Sequence, residues 1–94
     1  MDQDLVLYLK SLDFSEEDIE FLTEKTPALI TTPYECAMDN IMQVVSKGFP
    51  MEDIDMLIFA NPNFLTISPE ELSESLAKIS GDIEEQLKNN PFLI

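Results

Sequence analysis

Ninety-four residues make one domain, and with 45% apolar residues the chain is too hydrophobic for a disordered acidic tail, although 19 acidic side chains against five basic ones give it a net charge of -14. All five basic residues are lysines (Lys10, Lys25, Lys47, Lys78 and Lys88) and there is no histidine. That excludes arginine forks on phosphates and guanine edges, a Cys/His zinc site and a near-neutral imidazole base.

In chain order, the pattern predicts a first helix over about residues 3–12 and a second over about 16–26. The second has Ser15 as N-cap, acidic residues in its first turn to meet the positive end of the helix dipole, and Pro27 as its stop. Thr32-Pro33-Tyr34-Glu35 and Ser68-Pro69-Glu70-Glu71 both read as a hydroxyl cap, a proline at the first helical position and a glutamate bonding back, so they open helices three and five. Helix three should end before Gly48 and helix five before Gly81, while Pro50 opens helix four and Pro62 closes it. A last helix over about 82–89 completes six, and no stretch alternates as a strand would. On helix four, Met51, Ile54, Leu57 and Ile58 share one face, predicted to be core, whereas Met56 and Phe59 project to the other side.

Sliding the chain against itself by 35 residues pairs Phe14 with Phe49, Glu17 with Glu52, Asp18 with Asp53, Ile19 with Ile54, Leu22 with Leu57 and Pro27 with Pro62. Ser11/Ser46, Thr31/Thr66 and Glu35/Glu70 extend the identities, where unrelated segments would share roughly one or two. A partial third copy begins at Gly81: Asp82-Ile83-Glu84 repeats Asp53-Ile54-Asp55, and Asn90-Pro91-Phe92-Leu93-Ile94 repeats Asn61-Pro62-Asn63-Phe64-Leu65. The expected organisation is therefore all-α, a short right-packed, solenoid-like helical repeat with units at about 9–43 and 44–78 and a partial unit at 79–94. Pro91-Phe92-Leu93-Ile94 should fold back on helix five around Leu72, Leu76 and Ile79, because large apolar side chains gain by leaving water.

After each full-unit proline the apolar residues Ile30, Ala37 and Val44, or Leu65, Leu72 and Ile79, follow at the third position and then at intervals of seven. Proline followed by this heptad, preceded by a phenylalanine and an Asp-Ile-acidic turn, resembles the repeat of the mitochondrial transcription termination factor family across nearly the whole chain. The resemblance implies units of two α-helices and a short 3₁₀ turn, here near Ala28–Thr31 and Asn63–Thr66, stacked into a curved solenoid. It also implies nucleic-acid binding in a basic groove, but no arginine or lysine here matches those contacts residue by residue.

Function is expected from surfaces rather than chemistry. The acidic run Ser15-Glu16-Glu17-Asp18-Ile19-Glu20 lacks the loop of a calcium hand, and Cys36 has neither a second cysteine nor an activating base, so no catalytic, metal or cofactor site is expected and Cys36 reads as packing. Phe21, at the repeat position of Met56, joins Met56 and Phe59 as candidate partner-binding residues, the alternative being packing between units. The leading expectation is a non-enzymatic protein-interaction module or small adaptor, monomeric or weakly dimeric, whose acidic surface steers a basic protein partner. Alternatives are nucleic-acid binding inherited with the repeat, acidic mimicry of nucleic acid, and a small ubiquitin-binding domain suggested by Leu12-Asp13-Phe14 and Gly48-Phe49-Pro50. With no basic leader in Met1-Asp2-Gln3-Asp4, no bilayer-length apolar run and an unpaired thiol, a soluble cytoplasmic protein without membrane or nucleic-acid partners is expected.

Overall fold

In the computed structural model, which describes residues 1–94, the chain forms six α-helices and no strand. They are α1 (Gln3–Ser11), α2 (Glu16–Lys25), α3 (Tyr34–Ser46), α4 (Ile54–Ala60), α5 (Pro69–Ala77) and α6 (Ile83–Asn89). Three 3₁₀ turns, Pro27–Thr31, Pro62–Leu65 and Pro91–Leu93, follow α2, α4 and α6, and a fourth, Met51–Asp53, leads into α4.

The prolines set these turns. Each of Thr26, Asn61 and Asn90 sits before a proline and is driven extended, with φ of -134°, -144° and -147°. Each also donates its N–H to the carbonyl four residues back, at 2.8, 2.9 and 2.9 Å, closing the helix before the chain turns. Two of these turns, Pro27–Thr31 and Pro62–Leu65, overlap the stretches Ala28–Thr31 and Asn63–Thr66 that the resemblance implied, each beginning at the proline itself.

Helix starts divide into two kinds. Ser15 and Asp18 form a reciprocal capping box on α2, and Ser68 accepts from the Glu71 N–H at 3.2 Å on α5. Thr32, expected to cap α3, does not: its hydroxyl donates to the Ala28 carbonyl at 2.8 Å and ties down the preceding turn. The first turn of α3 is instead capped from outside, by the Asp2 carboxylate, which accepts from the Tyr34 N–H at 2.9 Å while its other oxygen caps α1 through the Asp4 N–H at 2.9 Å. Those bonds, the one from Tyr34 foremost, hold the Asp2 carboxyl below its ordinary pKa.

Nineteen apolar residues form one core. Six pairs of positions related by 35 residues are buried in both copies: Phe14 and Phe49, Ile19 and Ile54, Leu22 and Leu57, Leu29 and Phe64, Ala37 and Leu72, Ile41 and Leu76. One core expectation fails. Met51 is 41% exposed because it lies in the 3₁₀ turn before α4, out of register with Ile54, Leu57 and Ile58, which are buried as expected. Ile30 is exposed, its neighbour Leu29 taking the inward place, whereas its repeat partner Leu65 is buried.

A polar row on α3 joins the halves of the chain. Cys36, Asn40 and Gln43, on one helical face, donate to main-chain carbonyls of the 62–69 stretch: Cys36 Sγ to Ile67 at 3.4 Å, Asn40 Nδ2 to Phe64 and Ile67 at 2.9 and 2.8 Å, and Gln43 Nε2 to Pro69 at 2.9 Å. Burial and then the neighbouring Asp39 and Glu70 push the Cys36 thiol pKa up, so it is a weakly reactive joint. At the far end, Asn61 donates to the Pro91 and Ile94 carbonyls at 2.8 and 3.1 Å, fixing the last turn. Ile94 packs on the core and Leu93 lies near Ile79, but Phe92 is 67% exposed, contrary to the expected burial of all three.

Candidate functional site

The site begins with how α1 stops. Phe14 N–H bonds the Leu9 carbonyl and Asp13 N–H the Lys10 carbonyl, with Asp13 left-handed at φ 69°. The same pair of bonds closes α3, from Phe49 to Val44 and from Gly48 to Val45, with Gly48 at φ 116°. In this cap the residue after the left-handed one swings its side chain back over the helix, which carries both phenylalanines into the core. Asp13 thus fills with a carboxylate the position that Gly48 holds in the second copy.

Phe14 then meets α4. Its ring lies nearly parallel to that of Phe59, 8° apart with centroids at 6.3 Å, and Phe59 in turn stacks on Phe21 at 5.6 Å and 25°. The order is Phe14, Phe59, Phe21, from the cap of α1 across α4 to α2. Lys25 at the end of α2 donates to the Ala60 carbonyl at 3.1 Å, within the last turn of α4, where a cation suits the helix dipole.

Beside this stack an open groove of about 430 Å³ runs between the α1–α2 turn and α4. Leu12, Phe14, Met56 and Phe59 provide its apolar walls, and Asp13, Asp18 and Asp55 its acidic rim. Met56 is 56% exposed, Phe21 46% and Phe59 43%. The structure therefore brings the three sequence-predicted residues together, Met56 and Phe59 in the groove and Phe21 outside it at the far end of the stack, each leaving about half its surface in water.

The junction of α4 with α6 has a smaller depression of about 70 Å³, walled by Phe49, Met56, Leu57, Leu87 and Pro91. Lys88 lines it and places its ammonium 2.8 Å from both Asp53 and Glu84. These two hydrogen-bonded carboxylates hold the Lys88 ammonium pKa well above its usual range.

Sequence reasoning named Leu12-Asp13-Phe14 only as a turn similar to a ubiquitin-binding loop, and missed that Leu12 and Phe14 wall a groove with α4 and that the carboxylates rim it. The recurrence of Phe14 at Phe49 marked it for burial, but nothing local to the chain says that its ring meets Phe59, 45 positions later. The carboxylates do not converge as metal ligands: no group of three or more His, Cys, Asp or Glu is arranged to hold an ion. Comparison with protein-family models, with curated proteins and with solved structures finds no match to this chain.

Proposed function

We propose that this chain is a non-enzymatic protein-interaction module whose docking site is the groove over Phe14, Phe59 and Met56. The observation that carries the reading is the half-exposed stack of Phe21 and Phe59 beside Met56, rimmed by Asp13, Asp18 and Asp55. Exposed aromatic and methionine side chains lose ordered water on contact and supply area without a fixed shape requirement, which is the composition of interface centres. The acidic rim and the net charge of -14 select a basic partner and oppose nucleic acid.

The same reading takes the fold as a short, right-packed helical repeat, supported by the shared backbone geometry at Thr26, Asn61 and Asn90 and by six pairs of core positions related by 35 residues. It agrees with the α-helix, 3₁₀ turn, α-helix unit of the transcription termination factor family while departing from that family's basic groove. We propose a cytoplasmic location on the single unpaired thiol and the acidic composition; no helix is long and apolar enough to cross a membrane.

The test is co-purification from native cells with the parent chain and with a Met56→Ser/Phe59→Ser variant, followed by calorimetry of each recovered partner with both proteins. A partner that binds the parent at least about tenfold more tightly supports the groove, since hot-spot truncations weaken binding by that order or more. Equal affinity for both proteins overturns it.

A further inference from the structure

The two junctions of the molecule pose the same chemistry with one difference. The carboxylates that clasp the Lys88 ammonium, Asp53 and Glu84, correspond in the repeat to Asp18 and Asp55, and Phe49 corresponds to Phe14. Asp18 and Asp55 line the first groove, with Phe14 beside them. The position of Lys88 is taken there by Phe59. The first groove thus keeps the two anions, each half-buried, and replaces the cation by an aromatic face.

No lysine of the chain supplies the missing charge. Lys10 pairs with Glu16, Lys25 is engaged by the end of α4, and neither Asp18 nor Asp55 forms an ion pair. Asp18 accepts from the Ser15 N–H and Asp55 from the Met56 N–H, which leaves each a carboxylate oxygen for a further donor. A primary ammonium suits the pair: it carries three donors on a flexible stem, and the methylenes of the stem lie on apolar walls while the charge stays at the rim. A second copy of this chain is a poor source, because two molecules of net charge -14 repel.

We propose that the groove seats one lysine of a partner segment, its stem over Phe14 and Phe59 and its ammonium between Asp18 and Asp55, in the manner of Lys88 at the second junction. The partner segment is a short basic stretch with large aliphatic side chains flanking that lysine, which meet Leu12 and Met56. This rests on the reading of the groove as a docking site and specifies its occupant.

The probe is a capped 12-residue peptide of leucine, alanine and glutamine with one central lysine, titrated into the isotopically labelled full chain and followed by backbone amide shifts. A second peptide replaces that lysine by norleucine, which keeps the stem and removes the charge. Shifts are expected in residues 12–18 and 55–60, with norleucine binding about fivefold or more weakly, the range for a charge meeting two half-buried carboxylates. In Asp18→Asn/Asp55→Asn the two peptides should bind alike. The amide oxygen can still accept the Ser15 N–H, and should the double variant lose its fold, Asp55→Asn alone carries the comparison, with the lysine preference reduced by about half in logarithmic terms. Groove binding with lysine and norleucine within twofold, or a lysine preference that survives the variants, overturns the lysine seat and leaves the docking site standing. Absence of groove shifts at millimolar peptide overturns both.

Discussion

Asp13 and Gly48 perform the same turn with different side chains, and the comparison gives a direct measure of backbone strain. A Cβ added at Gly48 meets nothing within 4 Å, so Gly48→Ala should destabilise only through its positive φ, by about 1 kcal/mol. Asp13→Gly removes the matching strain, offset in part by the greater freedom of glycine in the unfolded chain, and should be neutral to about 1 kcal/mol stabilising. Chemical denaturation of both variants checks the pair, and a loss of stability in Asp13→Gly would show that its carboxylate matters more than its backbone. Asp2 gives a prediction in pH. Its folded pKa is lowered, so its contribution is present above the ordinary carboxylate range and is lost as pH falls below about 4. Asp2→Ala should therefore melt below the parent at pH 7, with the difference shrinking as the parent's own carboxyl protonates; a difference that persists at pH 2 would place the effect in packing. Gly48 was legible from sequence because glycine after a helix has one common use. Asp13 was legible only through its register with Gly48, and the bond from Tyr34 to Asp2 was not legible at all, since no local pattern announces a cap supplied from 32 residues away.

Among the helices, α4 separates reading from structure most clearly. Its periodicity placed Ile54, Leu57 and Ile58 inward, and they are buried at 0%, 3% and 0% exposure. Ile54→Ala or Leu57→Ala should destabilise by about 2–5 kcal/mol through the cavity left behind. Met51→Ala should change stability by no more than about 0.5 kcal/mol, because the 3₁₀ turn rotates it out to solvent. Urea titration of the three variants decides whether that break in register holds in solution; a Met51 effect as large as that of Ile54 would mean one continuous helix from Pro50. Proline made most boundaries readable, since it ends a helix by steric necessity and fixes the residue before it. The Thr32 cap was misread because a hydroxyl before proline can turn either way, and here it turns back to donate to the Ala28 carbonyl of the preceding turn.

Across the whole molecule, charge and closure set the expectations. With net charge -14 on 94 residues the folded state repels itself, so the melting temperature should rise as sodium chloride is raised from about 0.02 to 0.5 M, where the screening length falls from roughly 20 Å to 4 Å. A flat or falling curve would mean that the Lys88 clasp and the exposed Lys10 pair outweigh the repulsion. Deleting residues 91–94 should lower the melting temperature, because it strips the Asn61 amide of both carbonyls it serves and uncovers the core beside Ile94. An unchanged melting temperature would show that the last turn is an ornament on a self-sufficient core. The all-helical class and the core pattern were legible because a 3.6-residue period and a 35-residue register reinforce each other. The groove was not, because it is made by two segments whose meeting depends on how α1, α2 and α4 pack.

The row of donors on α3 has a consequence for how this sequence can drift. Cys36, Asn40 and Gln43 all end on main-chain oxygens of the segment they hold, and never on its side chains. A main-chain oxygen is the one group that survives almost every substitution. The seam is therefore one-sided: changes at Asn40 or Gln43 break it, while substitutions in the 62–69 stretch leave its accepting oxygens in place as long as the backbone keeps its path. Half of this joint can be rewritten so long as the other half is kept.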